Sequence, residues 1–358
     1  MIAVVLAGGV GERFWPQSRR RRPKQLLDLT GRGTMLDLTL QRIEGLARPE
    51  ETLVMTFAEQ RDAVIAELRG RIPDANVIGE PDIRNTAPSI GLAAAVVRRR
   101  FGDHAMLVLP ADHLIDGVDR FREQAQAAAR FIASDGANAL LTFGIVPTRP
   151  ETGYGYIRAG AERWREKDAA IFPVEAFLEK PTAEKAAELV KAGCLWNSGM
   201  FLWRAGAVLD EIATHLPEVA VVLGRVEAAV GTPEFGEVLK REYPRAPSVS
   251  IDYGLLEKSR DVVVMRADFA WNDVGSWEFV RATGERDAAG NVTVGEHVVI
   301  DAKENTVVAP GRTIALIGVE GLVIVDAGDA ILVCRRDRVQ DIKQIVAELK
   351  RRGRDDLV

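Results

Sequence analysis

The sequence is poor in cysteine. Its two, Cys194 and Cys334, stand far apart without partners at metal-ligand spacing. That excludes a disulfide-stapled scaffold and fits two buried thiols in a reducing compartment. No run approaches eighteen apolar residues, so no spanning helix is expected. No basic region precedes the opening "MIAVVLAGG", and that segment reads as a strand rather than a secretory signal. A cytoplasmic location is therefore expected. An excess of one charge is also missing. The net charge of −5 supplies no field for nucleic acid or membrane surfaces. Two nucleotide signatures are incomplete as well: there is no Gly-Lys-Ser/Thr, and "GVGERF" lacks the third glycine of a dinucleotide fingerprint.

What is present is a chain of 358 residues, 47% hydrophobic, long enough for one large domain and a smaller one. Short apolar runs alternate with helical patterns through the first half. "IAVVLAG", "TLVMTF", "NVIGE", "AMLVLPAD" and "ALLTFGI" read as strands. Helices are expected at about 34–47, 59–69, over "PSIGLAAAVVRRRF" and over "FREQAQAAARFIA". Apolar runs without alternation belong to strands buried on both faces, so the pattern predicts an α/β fold with a doubly wound, mostly parallel sheet. Ligands of such sheets sit beyond the strand C-termini, which directs attention to 8–24, 80–88 and 110–113.

From about residue 284 the texture changes to Val- and Ile-rich stretches with regular Gly, Asp and Asn turns. The expected organisation is a catalytic domain at 1–283 and a β-rich, partial β-helix-like domain at 284–358. A charged helix is expected at about 339–352, and the tail is expected to serve assembly and stability rather than chemistry.

Gly8, Gly9 and Gly11 leave room for the backbone to turn and for N–H groups to converge on phosphate oxygens. Arg13 and Lys24 add two cations suited to a triphosphate or a pyrophosphate leaving group. A glycine turn with solvated basic residues would share this pattern, and Arg19 to Arg22 read as solvated charge. Phosphate chemistry calls for a divalent cation such as Mg²⁺, which takes one or two carboxylates. Asp112, just past a buried strand, is the natural first ligand and Asp273 in "WNDVGSW" a second, although either position also suits a turn or cap. His113 reads as structural and Asp252 as a helix cap.

"LAGGVGERFWPQSRRRRPKQ", "EPDIRNTAPSI", "LPADH", "TGYGYI", "FLEKP", "WNSGMFLW", "SIDYGLLEK" and "WNDVGSW" follow one another in this order. Together they resemble the mannose-1-phosphate guanylyltransferases, and the length resembles the short, single-activity members without an isomerase domain. Gln17 departs from the Leu of many members. The resemblance implies a Rossmann-like nucleotide-diphospho-sugar transferase fold and transfer of GMP from GTP to mannose 1-phosphate, with release of pyrophosphate. It implies nucleotide contacts from Leu6, Ala7, Gly8, Gly9, Gly11, Asn85, Thr86, Ala87 and Asp112, and charge neutralisation by Arg13, Lys24 and Lys180. Sugar contacts would come from Gly153, Glu179 and Asn197, Mg²⁺ ligands from Asp112 and Asp273, and assembly would be a homodimer.

Glu80 ends the strand "NVIGE" on the ligand side of the sheet. A carboxylate there would suit the two donors of guanine's pairing edge, while N–H groups of residues 85–87 would serve O6. The alternatives are a sister transferase for another sugar or base, and a sugar-nucleotide-binding module without turnover. The retained Lys24 and acidic pair speak against the second.

Overall fold

The computed structural model describes residues 1–358. Its strands are β1 (Ile2–Leu6), β2 (Thr52–Phe57), β3 (Val77–Glu80), β4 (Ala105–Pro110), β5 (Leu114–Asp116), β6 (Leu140–Ile145), β7 (Tyr156–Ala159), β8 (Trp164–Glu166), β9 (Ala169–Leu178), β10 (Leu195–Arg204), β11 (Val262–Arg266) and β12 (Ala270–Asn272). The helices are α1 (Met35–Ile43), α2 (Arg61–Leu68), α3 (Thr86–Phe101), α4 (Val118–Ala133), α5 (Ala183–Lys191), α6 (Ala205–His215), α7 (Pro217–Ala229), α8 (Phe235–Glu242), α9 (Glu278–Thr283) and α10 (Ile342–Arg351). None of the helices is long and apolar enough to cross a membrane.

The central sheet runs β3-β2-β1-β4-β10-β6-β11-β9-β7. β3, β2, β1 and β4 are parallel, as are β6 and β11. The sheet is mixed because β10 enters antiparallel between β4 and β6. Its residues alternate between two cores. Ile2 and Val4 pack on α3, α6 and α7 on one face, while Ala3 and Val5 pack on α1, α2 and α4 on the other. This is why β1 and β4 are apolar throughout. The chain climbs from β1 to β2 and β3, then returns to β4 on the opposite side of β1. The switch point therefore falls between β1 and β4, where a ligand crevice opens.

Local signals fit the helix ends. Thr34 caps α1 through a reciprocal pair, its hydroxyl accepting from Asp37 N–H (3.1 Å) and the Asp37 carboxylate from Thr34 N–H (3.3 Å). α1 stops at Ile43, short of the expected end, because a glutamate with extended backbone and then Gly45 in the left-handed region follow.

The β-rich tail contains β13 (Val292–Val294), β14 (His297–Ile300), β15 (Thr306–Val308), β16 (Ile314–Ile317), β17 (Leu322–Asp326) and β18 (Ile331–Arg335). β13, β15 and β17 stack in parallel, as do β14 and β16, giving successive β-helix-like rungs. Buried Asn291 and Asn305 tie the rungs, Asn305 Nδ2 donating to Asn291 Oδ1 at 3.0 Å. The tail's inward Val308, Val323, Val325 and Val346 share one core with Phe14, Trp15, Leu27 and Trp277. Each such aliphatic side chain contributes about 1.5–3 kcal/mol by leaving water, so the rungs are held by the loop after β1.

Candidate functional site

β1 delivers the chain into residues 8–11, and the long loop that follows closes back on this turn. Lys24 N–H donates to the Val10 carbonyl (3.2 Å), and the Ser18 hydroxyl donates to the Gly11 carbonyl (2.8 Å). Lys24 is thereby folded inward, its side chain 7% exposed. Its Nζ donates to Asp112 Oδ2 at 2.9 Å and to the Asp273 carbonyl at 2.8 Å. Gly11 has φ +70°, and a Cβ there would lie 2.4 Å from Lys24 Cβ. Both the conformation and the space demand glycine. Gly11→Ala should displace Lys24, lowering kcat about tenfold or more and destabilising the fold by roughly 1–3 kcal/mol, the scale of a strained backbone. Kinetics and thermal melts check this, and a variant matching the parent in both would refute the packing argument.

Asp112 follows β4, and Asp273 follows β12. The antiparallel pairing of β5 with β12 joins these two regions although 161 residues separate them in sequence. Trp271 Nε1–H donates to His113 Nδ1 (3.1 Å), which leaves the proton on Nε2, 3.9 Å from Asp112 Oδ1. Burial, above all, pushes the His113 imidazole down to about 4, so it is neutral. Next to Asp273, buried Val274 has φ +48°, a strained conformation for a β-branched residue. Asn272 Oδ1 holds it by accepting from Val274 N–H at 2.7 Å. Arg13, Lys24, Asp112 and Asp273 line one cavity of about 350 Å³. A larger cavity of about 1140 Å³ lies between residues 16–32 and the tail, and it contains none of the expected site residues. Two of its arginines are answered by acids, Arg19 by Asp329 (2.9 Å) and Arg312 by Asp326 (3.1 Å).

A second group gathers along β10. Asn197 N–H donates to the Gly155 carbonyl (2.8 Å), and Lys180 N–H donates to the Tyr154 carbonyl (3.2 Å). Asn197 Oδ1 accepts from Thr142 Oγ1 (2.8 Å) while its Nδ2 donates to Asp252 Oδ1 (2.8 Å). The amide is thus oriented, with one N–H left over. Glu179 Oε1 meets Lys180 Nζ at 3.0 Å, whereas its Oε2 is buried without a partner. Gly153 lies in the exposed turn before Tyr154. Asp252, expected as a cap, instead anchors Asn197 and begins a π-helical turn. Burial, with Glu179 nearby, pushes its carboxyl up to about 6. Tyr154 links the two groups: burial and the Asp273 carboxylate raise its phenol above the ordinary value, and its ring meets Trp271 at 5.4 Å.

The base side requires correction. Glu80, expected to read guanine, is 3% exposed. Its Oε1 accepts from Ser89 Oγ (2.7 Å) and its Oε2 from the Tyr243 hydroxyl, so the buried group is turned into the protein. Two of the N–H groups expected to serve O6 are also taken. Thr86 N–H donates to Asn85 Oδ1 (2.8 Å) and Ala87 N–H to the Val249 carbonyl (3.1 Å). Segment 85–87 is the capped start of α3, tied to 249–251, and only the Asn85 N–H remains.

The family model described as nucleotidyl transferase matches residues 2–289. The chain belongs to that family. Residues 295–349 match a second model, the MannoseP isomerase/GMP-like beta-helix domain. The chain is 40% identical over 359 residues to the mannose-1-phosphate guanylyltransferase of Escherichia coli strain K12, covering 99% of this chain and 74% of that protein. It is 38% identical to the alginate biosynthesis protein AlgA of Pseudomonas aeruginosa strain PAO1, covering 99% and 73%. Among solved structures it resembles that of a Thermus thermophilus protein described as mannose-1-phosphate geranyltransferase. The TM-score is 0.84 at 35% identity, over 98% of this chain and 99% of that one.

In this nucleotidyl transferase one contributing residue escapes sequence reasoning. Arg42, 1% exposed on α1, donates from Nη2 to the His113 carbonyl at 2.8 Å and so steadies the segment carrying Asp112. Glu80 acquires a different significance. Burial, chiefly, pushes its carboxyl up to about 7, against hydrogen bonds from Tyr243 and Ser89 that lower it. A folded-state value above the unfolded one means the fold favours the protonated acid. Its contribution is full below about 4.5 and is lost as pH rises through 7. Glu80→Gln should therefore gain roughly 1–3 kcal/mol over the parent at pH 8 and flatten the decline between pH 5 and 7. Melts across that range test this, and unchanged pH dependence would contradict it.

Proposed function

We propose that the chain transfers GMP from GTP to mannose 1-phosphate, releasing pyrophosphate. The observation that carries this reading is Lys24 Nζ, held between the Asp112 carboxylate and the Asp273 carbonyl at the β1/β4 switch point. It supports a phosphate site in a chain 40% identical over nearly its whole length to a mannose-1-phosphate guanylyltransferase.

The attacking sugar phosphate is already an anion, so transfer needs no general base, and buried, neutral His113 is not asked to be one. The residues align two anions and neutralise charge. Arg13, exposed on the cavity, and Lys24 take the β- and γ-phosphates. Lys180 takes the sugar phosphate. The unpartnered Glu179 Oε2 accepts from a sugar hydroxyl, the spare Asn197 N–H donates to one, and the Gly153 backbone lies alongside. Leu6, Ala7, Gly8 and Gly9 bring the backbone beside the nucleotide.

Asp112 and Asp273 fit Mg²⁺, since both carboxylates line one small cavity and the ion takes one or two carboxylates, keeping waters and phosphate oxygens as its other ligands. When held by Asp112 and Asp273, the ion would supply positive charge that offsets that of the phosphates. A cytoplasmic homodimer is the proposed working state, and exposed Val298, Ile300 and Ile317 on β14 and β16 are apolar side chains that a second copy would cover.

The inward-turned Glu80 carboxylate favours a second reading in which another base is accepted. Purified protein assayed for pyrophosphate release with each nucleoside triphosphate and sugar 1-phosphate separates the two. GTP with mannose 1-phosphate should show the highest kcat/KM, and preference for UTP or dTTP with another sugar would overturn the first reading.

A further inference from the structure

The cavity that holds Lys24, Asp112 and Asp273 has one wall from outside the nucleotidyl transferase region: Lys343, on α10 of the tail. α10 is set in place independently of this residue. Ile342 and Val346, 1% and 3% exposed, sink into the core shared with Phe14 and Trp15. Lys350 Nζ donates to Glu12 Oε1 at 2.7 Å, and Trp15 Nε1–H donates to the Leu357 carbonyl at 2.8 Å. Positions seven apart share a helix face. Lys350 and Lys343 therefore both look toward the turn after β1, yet only Lys350 meets an acid there.

The charges around the cavity show what Lys343 lacks. Glu12 is answered by Lys350 and Asp112 by Lys24. Lys343 forms no ion pair with any carboxylate and is exposed on the cavity rim. Arg13, Lys24 and Lys343 share this space with Glu12, Asp112 and Asp273, and since neither Asp273 nor Lys343 forms an ion pair there, the ammonium is free to meet an arriving anion. Three cations converging on one cavity suit a polyanionic group.

We propose that Lys343 is a catalytic residue of the pyrophosphate end of the site, so that the tail completes the active site instead of only stabilising it. It departs from the expectation of a purely structural tail, and it rests on the transferase reading above. In the step it serves, the sugar-phosphate oxygen forms a bond to the α-phosphorus. The bond to the bridging oxygen breaks, and its electron pair leaves with pyrophosphate. Lys343 stays protonated throughout and neutralises part of the charge that accumulates on that leaving group. No proton changes hands.

The test uses the intact chain with Lys343→Ala and Lys343→Arg. Two readouts are taken: calorimetric binding of pyrophosphate, and the KM for pyrophosphate against that for the sugar nucleotide in the reverse reaction. Lys343→Ala should weaken pyrophosphate about tenfold, the effect of one hydrogen bond to a charged group. The sugar-nucleotide KM should stay within twofold, the melting temperature should hold, and Lys343→Arg should recover most of the loss. Pyrophosphate affinity within twofold of the parent in Lys343→Ala would overturn the proposal and leave an ordinary solvated lysine. A parent protein that prefers another nucleotide or sugar would overturn the functional reading alone, because calorimetry on pyrophosphate needs no turnover.

Discussion

Lys24→Ala should lower kcat for GDP-mannose formation by about two to three powers of ten, the scale for losing one preorganised electrostatic group. The expectation follows from how little freedom this lysine has. Its stem runs beneath Gly11, its ammonium touches two fixed oxygens, and the Phe14 ring lies 5.6 Å away. No reorganisation is needed for the charge to meet a departing pyrophosphate. Truncation also leaves Asp112 without its ion partner. Because Asp112 remains 38% exposed, water compensates in part, and the stability loss should stay near 1–2 kcal/mol, below that for breaking a fully buried pair. Steady-state kinetics and a thermal melt measure both effects. A variant turning over at nearly the parent rate would exclude Lys24 from charge neutralisation.

Asp273→Asn should also reduce activity by roughly a thousandfold, yet leave the fold almost untouched, as removing an electrostatic group can. Lys24 bonds to the backbone carbonyl of residue 273, not to its carboxylate. The substitution therefore keeps the lysine in place and deletes only the charge that would hold Mg²⁺. Asp112→Asn is less selective, since it breaks the 2.9 Å ion pair as well, and it should lower both activity and melting temperature. Titrating Mg²⁺ against rate distinguishes the cases, with excess metal restoring only part of the Asp273→Asn activity. Unaltered Mg²⁺ dependence would show that Asp273 is a turn residue and not a ligand.

Much of this site is legible in the sequence where one physical constraint acts alone. β1 and β4 are apolar throughout, and β2 nearly so, because both faces are buried, and the loops at their C-terminal ends follow from that topology. β10 is harder to read. Asn197 and Ser198 interrupt it, its register shifts between Asn197 and Phe201, and it runs against its neighbours, so its central place depends on partners distant in sequence. Glu80 misleads because ending a strand on the ligand side does not determine which way a side chain turns. Tyr243, 163 residues later, captures it. Lys343 is the opposite case: nothing local in the sequence places its helix on the cavity that Arg13 lines. Local pattern encodes elements well, whereas side-chain commitments are made between segments that no local pattern connects.

The contact of Trp15 with the Leu357 carbonyl, 342 residues along the chain, has a consequence in time. Phe14 and Trp15 reach their buried positions only when α10 and the residues beyond it exist to cover them. At about 5–20 residues per second, a ribosome needs on the order of tens of seconds to make that stretch. The central sheet is complete only after β11 has been made, so in the last part of that interval the nascent chain carries an assembled sheet whose first loop stays uncovered, with two large aromatics open to water. Nucleotide-binding competence should thus emerge abruptly and late in synthesis, and a ribosome stalled before α10 should present these aromatics to chaperones.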